Sequence, residues 1–241
     1  MAATAECRLS LRRDYSSPVR ENHPRQRRLR REGRRLARKR GNRAGLPAIL
    51  IVCEGQETEP NYLHGLCDAR GINRANVTIV PGDSDTDALR LVRKARKRFE
   101  VDRDFDAVFV VCDCAGEELA DATALAAKPM RHASGFTMPV TLIISRPCFE
   151  IWLLLHFEYA ARPFHTAADV IDLLRRHITD YSKADRQIFA KVAGGLDRAI
   201  GHAKRLKLEL AAVRAELPNT DMPKLIEVLD GLRRGRSGAD Q

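Results

Sequence analysis

Short apolar runs alternate with longer amphipathic stretches over the first two-thirds of the chain. Pro47 to Cys53 is continuously apolar and of strand length, the pattern of a strand covered on both faces. Val77 to Val80 forms a second such run, Asp106 to Cys112 a third around Ala107-Val-Phe-Val-Val111, and Pro139 to Ile144 a fourth. Between them, Pro60 to Arg70 carries Tyr62, Leu63 and Leu66 at helical spacing, with Gly71 as a stop. Asp83 to Glu100 predicts a second helix, with Asp83, Asp85 and Asp87 near its start and Arg93 to Arg98 near its end. That charge order suits the helix dipole. A third helix is expected around Glu117 to Ala127. Strands alternating with helices predict an α/β fold: a mainly parallel, Rossmann-like sheet joined by right-handed crossovers and flanked by helices. Strand order stays open.

After Pro147 the pattern is helical to the end. Leu196, Ile200, Ala203, Leu210, Val213 and Leu217 keep one stripe, Pro218 and Pro223 bracket a short loop, and Leu225 to Leu232 predicts a last helix. The expected layout is an arm over residues 1–45, an α/β core over 46–160, a C-terminal helical cap over 161–234 and a disordered tail over 235–241. Gly55, following the first strand, is expected to let the backbone turn sharply.

Charge changes the picture at one end only. The net charge is +10, and Arg25 to Arg43 holds ten Arg and one Lys against a single Glu, so the rest is near neutral. Such a segment repels itself and builds no core, which predicts a disordered basic arm with at most a nascent helix over Pro24 to Arg40. Arg27, Arg28, Arg30, Arg31, Arg34, Arg35, Arg38, Lys39 and Arg40 are candidates for binding the phosphates of DNA or RNA. The plainer alternative is a solvated tail. The apolar stretches 47–53 and 149–157 are far shorter than the ~20 residues of a membrane span. The N-terminus has no apolar core of the kind a secretory signal carries. A cytoplasmic protein with no membrane partner is the expectation. Cys53, Cys112, Cys114 and Cys148 lie in or beside apolar runs, Cys7 and Cys67 complete the set, and no CxxC occurs. If the third strand reaches Cys114, Cys112 and Cys114 share a face, but zinc would need further ligands.

Strand C-termini of a parallel sheet open onto a crevice where ligands bind. Glu54 follows the first strand, Asp113 the third, and Glu150 comes shortly after the fourth. Carboxylates from separate crossovers can converge on a hard cation such as Mg²⁺ or Mn²⁺. Glu57 and Glu59 fit equally well as acids favouring a helix N-terminus. Asp113 reads as a ligand or a helix cap. Glu150 lies in Pro147-Cys-Phe-Glu-Ile-Trp-Leu-Leu-Leu-His-Phe157, apolar nearly all round, so burial is expected and with it a partner, either a metal or Arg146. His156 reads as a core or helix-surface histidine.

Three stretches resemble the RloB family: Ile-Val-Cys-Glu-Gly-Gln-Glu-Thr-Glu-Pro-Asn-Tyr62, the strand ending at Asp113, and the Pro147 to Phe157 segment. The likeness spans about Leu46 to Leu232, with a basic lead-in also usual for the family. It implies association with bacterial restriction or abortive-infection loci, and with other proteins of a defence operon as partners. The core also resembles the Toprim nuclease fold, in which a Glu after the first strand handles protons and an Asp-x-Asp after a later strand holds Mg²⁺. Glu54 and Asp113 match that pattern; position 115 is Ala where the second Asp would stand, with Glu117 the nearest acidic substitute.

Two functions follow as expectations. In a nuclease, Asp113 would hold Mg²⁺ or Mn²⁺ with Glu150, Glu117 and Glu54 around it, and Glu54 and Glu150 would be the catalytic pair. In a non-catalytic nucleic-acid-binding or sensing protein, only the fold and the arm would matter, a reading that Ala115 favours. A nucleotidyl or phosphoryl transferase is third, since no GxxxxGK[ST] loop appears.

Overall fold

The computed structural model describes residues 46–83, 87–113, 118–164, 166–213 and 218–237. The arm with all its candidate arginines, and with them Asp85, Cys114, Ala115, Glu117 and the last four residues, lie outside the described residues. The chain divides at Gly45 and Leu46, and the unit from Leu46 onward is described below.

Its centre is a sheet of four parallel strands, β1 (Ile49–Cys53), β2 (Val77–Val80), β3 (Ala107–Cys112) and β6 (Val140–Arg146), with a short antiparallel strand, β7 (Asn219–Thr220), on one edge. The order is β2-β1-β3-β6-β7. All five residues of β1 are fully buried, because the strand is central and both faces are covered. Period-two alternation sorts its side chains. Ile49, Ile51 and Cys53 join Phe109, Val111 and Ile143 on one face, while Leu50 and Val52 join Val108, Val110 and Cys112 on the other.

The second face is covered by α2 (Ala88–Val101) and α3 (Glu118–Ala127). The first is covered by α1 (Thr58–Ala69), α4 (Glu150–Leu154), α5 (Ala167–Leu174), α6 (Ile188–Val192), α7 (Leu196–Val213) and α8 (Met222–Ser237). The result is the α/β architecture that the alternating pattern predicts. α1 ends in a Schellman motif: Gly71 adopts φ +63°, its N–H donates to the Asp68 carbonyl, and the Ile72 N–H donates to the Cys67 carbonyl.

Several expectations change. The second helix starts at Ala88 rather than Asp83; Asp87 is its cap, its side chain accepting the Arg90 N–H at 2.7 Å, while Asp83 sits further back and pairs with Lys94. The apolar segment after Pro147 is helical only over Glu150–Leu154 and continues as turns, although every residue from Cys148 to His156 is buried. The C-terminal region contributes β7, docked on β6 by a buried contact between the Ser145 and Thr220 hydroxyls at 2.9 Å. A pair of two-residue strands, β4 (Met130–Arg131) and β5 (Thr137–Met138), forms a separate hairpin that so short a pattern cannot announce. Pro223 lies in the first turn of α8, where its missing N–H costs nothing, instead of closing a loop. That helix continues past Arg233 to Ser237. β3 stops at Cys112, so the expected Cys112–Cys114 face does not form within it. No helix among the described residues is long and apolar enough to cross a membrane.

Candidate active site

From β1 the chain adds β2 on one side and then returns to place β3 on the other. Such a reversal leaves a crevice at the strand C-termini between the two diverging connections. Glu54 and Asp113 stand at the two lips of that crevice. The Glu54 N–H donates to the Val111 carbonyl at 2.9 Å, extending the β1–β3 ladder one rung beyond the strand. Its side chain returns the tie: Oε2 accepts the Asp113 N–H at 2.7 Å.

Two further carboxylates reach the same cleft, whose volume is about 280 Å³. Glu59, in the first turn of α1, is 4% exposed, and its Oε1 accepts the Gly55 N–H at 3.0 Å. Glu150 opens α4 next to the end of β6 and is 2% exposed. Its Oε1 accepts the Tyr181 hydroxyl at 2.8 Å and lies 3.6 Å from the Lys183 ammonium. These partners, rather than Arg146, meet its buried charge. The Gln56–Thr58 segment, Phe149 and Lys183 complete the wall.

Gly55 is required here for space. Its φ is not positive, but a Cβ on it would come within 1.9 Å of Glu59 Oε2. Gly82 is tighter: a Cβ there would meet the Glu54 carbonyl oxygen at 1.6 Å, and its N–H donates to the Gly55 carbonyl at 3.1 Å. The turn after β1 is thus closed against the segment following β2.

Burial and mutual repulsion weaken three of these carboxyls as acids: Asp113, Glu59 and Glu54. Asp113 is held well above the ordinary Asp range, first by burial and then by Glu59 and Glu54, with an amide hydrogen bond from Phe149 acting the other way. Glu59 is raised by burial, with the charges of Glu150 and Glu54 adding to it against the Gly55 and Glu59 amides. Glu54 is raised by burial, against the Asp113 amide and Lys183. Asp113 Oδ1 is buried and accepts no hydrogen bond among the described residues.

This donor set suits a hard divalent cation: all four side chains offer oxygen, and one buried oxygen lacks a partner. The carboxylates do not form a finished cage. Among the described residues no three acidic, His or Cys side chains converge at liganding geometry, because Glu54, Glu59 and Glu150 are each turned toward a protein donor.

Of the residues singled out from sequence, Glu54, Asp113 and Glu150 are brought together, and Glu59 joins them from the pair that fitted a plain helix-terminus role. His156 is buried away from the cleft lining. Its Nδ1 is 2.9 Å from the Trp152 carbonyl and its Nε2 3.2 Å from the Tyr62 hydroxyl, so it is a satisfied core histidine. Cys53, Cys67, Cys112 and Cys148 are buried, and burial pushes the Cys67 thiol up to about 11. Tyr181 and Lys183 were missed; they lie on a polar connector about thirty residues beyond Glu150, with no periodicity to link them to it.

A family model described as RloB-like protein matches residues 49–229. No curated protein and no solved structure matches the chain significantly. The matched span begins with β1, reaches into α8 and includes every carboxylate that lines the cleft, Glu57 among them, and the chain belongs to the RloB-like family.

Proposed function

We propose that this protein is a Mg²⁺- or Mn²⁺-dependent phosphodiesterase acting on DNA or RNA, built on a Toprim-like core and serving a bacterial restriction or anti-phage locus. The observation that carries the reading is the convergence of Glu54, Glu59, Asp113 and Glu150 on one crevice at the chain-reversal point, with Asp113 Oδ1 unpartnered. So many like charges in a half-enclosed cleft cost several kcal/mol unless a cation or protons offset them. Asp113 would hold the cation, with Glu59, Glu150 or the free oxygen of Glu54 beside it and Glu117 a further candidate outside the described residues. A bound cation would polarise the phosphoryl oxygen and offset the cleft's negative charge.

Glu54 has the features of the proton carrier. Its Oε2 is fixed by the Asp113 amide, and burial raises its pKa above the ordinary Glu value, which makes it a better proton acceptor. The water oxygen forms the new bond to phosphorus, and Glu54 accepts the proton that water gives up. The ester P–O bond breaks, and that proton passes to the leaving oxygen. Glu150, held by Tyr181, forms another wall of the cleft. The Arg27 to Arg40 segment would recruit the polyanion without sequence preference.

The test is cleavage of labelled DNA and RNA with Mg²⁺ or Mn²⁺ by wild type, Glu54→Gln and Asp113→Asn. Cleavage lost in both variants, with binding retained, supports the reading. Equal, salt-sensitive binding by all three without cleavage would overturn it in favour of a non-catalytic binding or sensing protein, the alternative that Ala115 and the unfinished cage favour.

A further inference from the structure

The connector between α5 and α6 places Lys183 in the lining of the acidic cleft, and its backbone is tied at several points. Lys191 grips both ends of it, its ammonium 2.6 Å from Asp180 Oδ2 and 2.8 Å from Asp185 Oδ2. Inside that staple the Asp185 N–H donates to the Ser182 carbonyl at 3.1 Å, and Asp185 Oδ1 accepts the Gln187 N–H at 2.8 Å. Thr58, the first residue of α1, donates its hydroxyl to the Lys183 carbonyl at 3.1 Å, and Tyr181 donates to Glu150. The segment is therefore anchored to two of the elements that carry cleft carboxylates.

Lys183 is the only cation among the described residues lining the cleft, and its side chain is 67% exposed. Its nearest acidic oxygen, Glu150 Oε1, is 3.6 Å away and already accepts the Tyr181 hydroxyl. The ammonium makes no hydrogen bond among the described residues, so its three donors remain for a ligand. An exposed lysine on a mobile loop would contribute little. Here the backbone is fixed and only the side chain has to be ordered.

We propose that Lys183 forms an anion subsite at the mouth of the cleft, taking a non-bridging oxygen of the substrate's phosphoryl group. This assignment rests on the phosphodiesterase reading above, and it names the part of the substrate that the protein itself grips. The cleft carboxylates repel a phosphate, and an ammonium carried on a fixed backbone beside Glu150 lowers that barrier. The alternative role, neutralising Glu150 alone, needs no phosphate and would show in stability.

The experiment compares full-length wild type with Lys183→Met and Lys183→Arg in three measurements. These are kcat and KM on a short labelled oligonucleotide with Mn²⁺, Mn²⁺-supported binding of inorganic phosphate followed by phosphorus NMR, and thermal melting. The expected result for Lys183→Met is a fall in kcat/KM of about a hundredfold, loss of phosphate binding and an unchanged melting temperature, with partial recovery in Lys183→Arg. Unchanged kcat/KM and phosphate binding in Lys183→Met would overturn the assignment. So would losses that track a lowered melting temperature in both variants. If wild type cleaves nothing, the phosphodiesterase reading fails, and phosphate binding alone decides the subsite. Binding lost in Lys183→Met sustains it; binding equal in the two proteins, or absent from wild type, removes it.

Discussion

A methyl group added to Gly55 and one added to Gly82 would strike different things. At Gly55 it meets the far end of the Glu59 side chain, which can swing away; at Gly82 it meets the Glu54 backbone carbonyl, which cannot. Gly55→Ala is therefore expected to leave stability within about 1 kcal/mol of wild type while displacing one cleft carboxylate and weakening Mn²⁺ binding. Gly82→Ala is expected to cost about 1–3 kcal/mol through backbone strain at the β1 turn. Urea unfolding beside Mn²⁺ titration separates the two; an unfolding midpoint equally shifted in both variants would contradict this account. His156 carries a pH dependence of definite sign. Burial lowers it from 6.5 to about 4, with Arg198 adding to the effect against the Trp152 and Leu153 backbone contacts. The folded state prefers neutral imidazole, so its contribution is complete above 6.5 and is lost as pH falls from there toward about 4. At about 1.4 kcal/mol per pH unit the loss reaches a few kcal/mol. His156→Phe should be less stable at neutral pH, since the Tyr62 hydroxyl loses its partner, yet flatter through that window; an identical pH profile would refute the assignment. The strand-end position of Glu54 is legible from its place after an apolar run. The burial of Glu59 is not, because a first-turn acid looks the same whether it faces solvent or a crevice.

The elements are legible in proportion to how much of their pattern is local. β1, β2 and β3 are apolar runs whose length alone marks strands, and they appear within two residues of where the pattern puts them. The end of α1 is equally local, since Gly71 adopts the positive φ that other residues resist. Gly71→Ala is expected to cost about 1 kcal/mol in urea unfolding without altering the cleft, and a neutral result would mean the Schellman turn can rearrange. β7 and the β4–β5 hairpin are two residues per strand, too short for any period, and depend on neighbours such as Ser145 that lie far off in sequence. The α4 segment teaches the converse. Its composition announces burial correctly, but its helix closes after Leu154 because the chain must turn to pack Trp152, His156 and Tyr62 edge to face. Trp152→Ala, which empties the middle of that cluster, is expected to cost about 3–5 kcal/mol.

Over the whole chain the charge is segregated: the Arg25 to Arg43 stretch of the arm carries excess positive charge equal to the net +10, while the folded unit gathers acids at one cleft. Replacing Arg27, Arg28, Arg30 and Arg31 with Gln should weaken DNA binding uniformly across sequences. The dependence of log affinity on log salt should become shallower by up to about 0.9 for each phosphate that the arm no longer neutralises. The melting temperature of the folded unit should not move. Unchanged salt dependence would show that the arm does not touch the nucleic acid.

Local chemistry alone carries a good deal of this protein. Apolar runs of strand length, helical spacing between them and the concentration of arginine at one end already specify a two-sided parallel sheet and a basic arm, because period and charge density are properties of neighbours in sequence. The strand order β2-β1-β3-β6-β7 is a tertiary outcome, and with it the crevice between β1 and β3. So is the gathering of Glu54, Glu59, Asp113, Glu150 and Lys183 from four separate segments around about 280 Å³. Which carboxyls repel one another, and which ammonium stands beside them, depends on distances across the sheet edge that no run of adjacent residues encodes.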